Sequence, residues 1–170
     1  MNLDLVQALF WSARPGEALA ELDRARALFP ASGRVALELG HEHIRQRRWA
    51  DAIAAFEKAH KPSRPMPWLG FAYGASGRIS DARAFLALLH ECAVRTYVTP
   101  QAFATVHMGL GERDEAFRWL ELAYEQRAFE LRGFTKWFYE FVRDDPRFEN
   151  LLRRMGLADF KEFGTPSRPD

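Results

Sequence analysis

A chain of 170 residues with 48% hydrophobic and 28% charged side chains can bury a core, and its make-up is that of an ordinary soluble globular protein. A formal net charge of +1 excludes a global field that would attract nucleic acid or an anionic membrane, so any electrostatic recognition must come from local clusters. Cys92 is alone, which excludes an intramolecular disulfide, and no apolar run approaches the ~18 residues of a membrane span; a soluble, cytoplasmic protein is expected.

In chain order, Asp4 stands where a secretory signal would need positive charge. Residues 2–13 predict a first helix with Leu5, Leu9 and Phe10 on one stripe, and Pro15 suits the first turn of a second. That second helix carries Ala18, Leu22 and Ala25 and is stopped by Phe29-Pro30. Ser32 can cap a third, in which Val35, Leu39 and Ile44 share a face and Gly40 offers a small position for a crossing helix. Trp49 opens a fourth, and Lys61-Pro62-Ser63-Arg64-Pro65-Met66-Pro67 is a proline-rich break that reads as a short hinge. Helices then follow from Trp68 to a turn at Gly77, from Asp81 onward, from Thr99-Pro100 to a turn at Gly109-Leu110-Gly111-Glu112, and through Ala116 to Tyr124. Asp144-Asp145-Pro146 caps a last helix through Leu151, Leu152 and Met155 to Gly156.

One pattern recurs along this series. Ala52, Phe56 and Ala59 lie on one helix face at spacings of four and three. Ala18, Leu22 and Ala25 stand thirty-four residues earlier in the same register, Ala82, Leu86 and Leu89 thirty later, and Ala116, Leu120 and Ala123 a further thirty-four on. A period of about 34 residues built of two helices is the mark of a tetratricopeptide array, a fold in which each unit buries its apolar face on its neighbours. The expected architecture is all-α: one domain over residues 1–163 with repeats at 1–31, 32–62, 66–95 and 98–128, a C-terminal cap over 129–158 and a frayed tail at 164–170.

In Trp68-Leu69-Gly70-Phe71-Ala72-Tyr73, Leu, Gly and Tyr are spaced as in the tetratricopeptide consensus. The run from Arg95 to Pro100, Gly109-Leu110-Gly111-Glu112-Arg113-Asp114-Glu115-Ala116-Phe117-Arg118-Trp119-Leu120, Asp144-Asp145-Pro146-Arg147-Phe148 and Leu151-Leu152-Arg153-Arg154-Met155-Gly156-Leu157 together resemble the C-terminal tetratricopeptide domains of bacterial serine/threonine kinases and winged-helix transcriptional regulators. The resemblance covers roughly residues 66–158 and implies a non-enzymatic interaction or regulatory module, without the output domain that such proteins carry elsewhere. Arginine greatly outnumbers lysine, which fits a GC-rich bacterial genome.

The chemistry of a catalyst is missing from the pattern. His41-Glu42-His43 and His90-Glu91-Cys92 place their ligands two apart on a helix, about 200° from one another, so neither chelates a metal and the first reads as solvated surface. Gly70, Gly74 and Gly77 form no phosphate loop, since no strand precedes them. No catalytic residue, metal or cofactor is expected, nor a nucleic-acid or membrane partner.

Two functions stay open: a scaffold that accepts a protein or peptide in a concave groove, and a sensor whose groove closes on a small ligand and modulates a partner. In repeat register the groove would be lined by Gln7, Phe10, Trp11, Arg34, Leu37, His41, Arg45, Phe71, Gln101, Thr105 and Met108. Arg34, His41, His43, Arg45, Arg47 and Arg48 concentrate basic charge there, which is either a solvated helix end or a surface for an acidic partner. The aromatic tail is read with Phe134, Phe138, Phe141 and Val142 facing inward as a cap, leaving Trp137 and Tyr139 for a possible second interface or self-association.

Overall fold

The computed structural model of the chain describes residues 15–59, 65–128, 141, 142 and 144–157. Among these residues it holds eight α-helices and no strand: α1 (Pro15–Leu28), α2 (Gly33–Arg45), α3 (Trp49–Ala59), α4 (Pro67–Ala75), α5 (Ile79–Arg95), α6 (Pro100–Gly109), α7 (Arg113–Glu125) and α8 (Pro146–Arg154). The chain is all-α across them. The helix expected over residues 2–13 and most of the proline-rich hinge lie outside the described residues.

Helix boundaries follow local chemistry. Proline opens α1, α4, α6 and α8, where its missing N–H leaves no intrahelical bond unmade. Ser32 accepts from the Val35 N–H at 3.4 Å to start α2, and Asp145 accepts from the Arg147 N–H at 3.0 Å to start α8. Thr99 stands at the N-cap of α6 but its hydroxyl makes no cap bond; the Ala102 N–H is taken by the Thr99 carbonyl at 2.9 Å instead.

The helices pair by way of one turn used three times. After α2, α4 and α6 the residue two past the helix turns left-handed (Arg47 at φ 56°, Gly77 at 83°, Gly111 at 76°). The next N–H then reaches back over the last helical turn, Arg48 to His43 O, Arg78 to Tyr73 O and Glu112 to His107 O, at 2.8 to 2.9 Å. This is a Schellman closure, and it folds α3, α5 and α7 back onto their predecessors. Each returning helix starts with the same bond, from Ala52, Ala82 or Ala116 N–H to the turn residue four before it. Those three alanines are the small residues of the thirty-odd-residue pattern, and all three are fully buried.

Packing between the hairpins is closest from α4 to α6. A Cβ built on Gly74 would lie 2.6 Å from the Gly109 carbonyl carbon, and one on Gly109 would lie 2.4 Å from the Phe71 carbonyl oxygen. Main chain touches main chain there, as only glycine permits. Gly40 plays the expected part inside the α2–α3 hairpin, with the Phe56 ring 2.3 Å from where its Cβ would be. Gly70 serves two neighbours, Phe85 of its own hairpin and Val106 of the next. Around these contacts Leu22, Phe56, Leu86, Leu89, Leu120 and Ala123 are buried, with Phe148, Leu151 and Leu152 bringing α8 into the core.

Candidate functional site

The structure places those expected groove residues that it describes on three helices, and it covers several of them. On α2, Arg34 is exposed, Leu37 half-buried and Arg45 exposed, but His41 is only 8% exposed. Its imidazole meets the Phe56 and Trp68 rings edge-on at 5.6 and 5.3 Å, and its Nδ1 lies 3.9 Å from the Glu38 carboxylate. Glu42 is buried as well, accepting from Arg45 at 2.9 Å and from Gln46 Nε2 at 2.7 Å. The expectation of a solvated His41-Glu42-His43 surface is therefore corrected. A helix wheel shows that these side chains share or leave a face, but only the position of α4 shows that Trp68 covers one of them.

Glu38 and Glu42 also change the charge of that face. The basic concentration is partly matched from within, Arg45 by Glu42 and Arg48 by Asp51 at 2.7 Å. Counting basic residues alone missed this, although carboxylates one turn from each arginine were the available signal. Half-buried His43 has its pKa lowered, first by burial and then by Arg48.

On α4, Phe71 is 2% exposed and is not an open groove residue. Trp49, Trp68 and Phe141 surround it edge-on at 6.3, 5.5 and 5.0 Å. On α6, Thr105 and Met108 are buried too, the Thr105 hydroxyl donating to the Gln101 carbonyl at 2.8 Å, while Gln101 is half-buried. Repeat register tells which way a side chain points, not what else the chain lays over it. Gln7, Phe10 and Trp11 of the expected groove, and Trp137 and Tyr139 of the expected second interface, lie outside the described residues.

Charges and rings also tie the helices to one another. Tyr73 donates to Glu57 at 2.9 Å, joining α4 to α3; burial and that bond push its phenol up to about 12. Glu112, in the α6–α7 turn, holds His107 at 2.7 Å and Arg83 of α5. Burial works against its charge, but the His107 and Arg83 bonds outweigh burial and keep its pKa below the usual value. Between α7 and α8 one arrangement occurs twice: Arg147 pairs with Asp114 and lies over Phe117, and Arg154 pairs with Glu121 and lies over Tyr124, each cation 4.3 Å from its ring. An open cleft of about 790 Å³ runs between these helices past Phe117, Leu122, Glu125 and Asn150.

Among the described residues no three His, Cys, Asp or Glu side chains come together as a metal set, and no helix is long and apolar enough to cross a membrane. No family model, curated protein or solved structure matches the chain. The functional reading rests on its own residues.

Proposed function

We propose that the chain is a non-enzymatic interaction scaffold of the tetratricopeptide type, which holds a segment of another protein against the first helices of its hairpins. The observation that carries the reading is the threefold use of one hairpin turn at spacings of thirty and thirty-four residues, each followed by a buried alanine. A series of like hairpins stacked through their first helices gives a continuous surface that fits an extended or helical partner. The α4–α6 contact through Gly74 and Gly109 is such a stacking. The resemblance to the interaction domains of bacterial kinases and regulators, carried by the Gly109–Leu120 and Asp144–Phe148 motifs, points the same way.

The partner proposed is acidic, and Arg34 is the residue through which to test it. Arg45 is unsuitable, because reversing it would set a second carboxylate against buried Glu42. Arg34→Glu, on the exposed start of α2, is expected to weaken capture of the partner about tenfold with unchanged helical circular dichroism, and added salt should weaken the wild-type complex. A partner retained equally by both chains at every salt concentration would remove the electrostatic part of the proposal. Failure of the wild-type chain to hold any protein stoichiometrically would remove the scaffold itself.

A further inference from the structure

Part of the face that the repeat register offers to a partner already carries an occupant. Phe141 sits edge-on against Phe71, with ring centroids 5.0 Å and planes 66° apart, and Trp68 and Trp49 stand at the other edges of the same ring. Arg113, the first residue of α7, donates from its guanidinium to the Phe141 carbonyl oxygen at 3.3 Å. Val142, the next residue, is 1% exposed. The carboxylate of Asp145, three residues further on, is held by Arg147. The elements are those of a peptide site: an aromatic pocket and, beside it, a cation that reads a backbone carbonyl.

We infer that the Phe71 pocket and Arg113 form a binding site for a segment that inserts an aromatic side chain and presents the carbonyl of the same residue to the cation, and that Phe141 is its resident copy. A partner segment of the same chemistry takes the pocket by displacing Phe141. The inference rests on the scaffold reading above and gives that scaffold a class of ligand. Two features distinguish Phe141 from a fixed core ring. Phe56 and Phe148 are 0% and 1% exposed, whereas Phe141 keeps part of its surface in solvent. Its carbonyl is held by an exposed arginine at 3.3 Å, beyond the usual 2.9 to 3.0 Å for such a bond. A resident of this kind weakens a competing ligand by the fraction of time that the pocket is filled, and sets an affinity threshold that only a close chemical match passes.

The test uses the full chain and a fluorescent synthetic peptide copying residues 137–146, with binding read by anisotropy. Phe141→Ala empties the pocket, so it should bind this peptide about tenfold tighter than the wild-type chain does, and a peptide with alanine in place of its own Phe141 should not bind. A Phe141→Ala chain that keeps its helicity and binds no tighter than wild type overturns the inference. Should Phe141→Ala lose cooperative unfolding, Phe141→Leu, which retains an apolar side chain, takes its place with a gain of about threefold, and no gain overturns the inference. The two readings fail separately. Peptide binding without capture of any protein by the wild-type chain sinks the scaffold and leaves the pocket's chemistry standing; a captured partner beside an indifferent peptide does the reverse.

Discussion

Arg47 and Arg127 hold φ values of 56° and 52° at positions where equivalent turns place Gly77, Gly111 and Gly156. A side chain in this region carries a steric cost of about 1–2 kcal/mol, and glycine's greater freedom in the unfolded chain returns about 0.4–1 of it. Arg47→Gly should therefore stabilise the protein by about 0.5–1 kcal/mol in urea denaturation. A destabilised variant would mean that the Arg47 side chain contributes more than its backbone costs. At Asp145 one carboxylate does two things, capping α8 through the Arg147 N–H and binding the Arg147 guanidinium at 2.8 Å. Asp145→Ala is expected to cost about 1–2 kcal/mol, the upper range for a lost cap, while Asp145→Asn keeps the cap and loses only the charge.

At the scale of the helix pair, glycines rank by what a methyl group would strike. Gly109→Ala drives its Cβ into the Phe71 main chain, 2.4 Å from the oxygen and 2.6 Å from Cα, and neither atom belongs to a side chain that can rotate away. A loss of about 3 kcal/mol or more is expected. Gly33→Ala meets only the Ala59 Cα at 3.9 Å, an ordinary contact, and should change stability little. Gly70→Leu falls between, because Val106 and Phe85 present side chains that can shift in part, at about 1–3 kcal/mol. Thermal melts of the three variants check the order, and a neutral Gly109→Ala would show that α4 and α6 separate more easily than their spacing implies.

Across the molecule, acid should loosen the fold before base does. Hydrogen bonds from Arg147 hold the Asp145 carboxyl below its ordinary value of 3.8, and Glu112 lies below 4.5 through His107 and Arg83 despite burial. For a carboxylate depressed in the folded state, the stabilisation is complete above the unfolded pKa and is lost as pH falls through the folded one. Melting temperature should thus hold near neutrality and fall below about pH 4, with a shallower acid limb in Asp145→Asn. Equal acid limbs in the two proteins would show that Asp145 does not carry this dependence.

Much of the architecture was legible because helical periodicity is a local property. Ala52, Ala82 and Ala116 recur at intervals set by the length of two helices and a turn, and all three are buried where the pattern placed them. Proline starts, the Ser32 cap and the left-handed Gly77 and Gly111 are likewise written within a few residues of where they act. Arg47 was not legible as a left-handed residue, since its side chain tolerates that conformation without preferring it. The groove was less legible still. Spacing along α2, α4 and α6 assigns His41, Phe71, Thr105 and Met108 to the first helices of the hairpins, but all four are buried, His41 and Phe71 against rings from elsewhere in the chain. Phe141 is seventy residues from the ring it covers, and Trp68 twenty-seven from His41. The sequence by itself determined the helices, their turns and the small residues that let them meet, because those follow from neighbours three and four apart. Only the tertiary structure decided which of the inward-facing side chains remain open, because exclusion of water depends on packing by segments distant in the sequence.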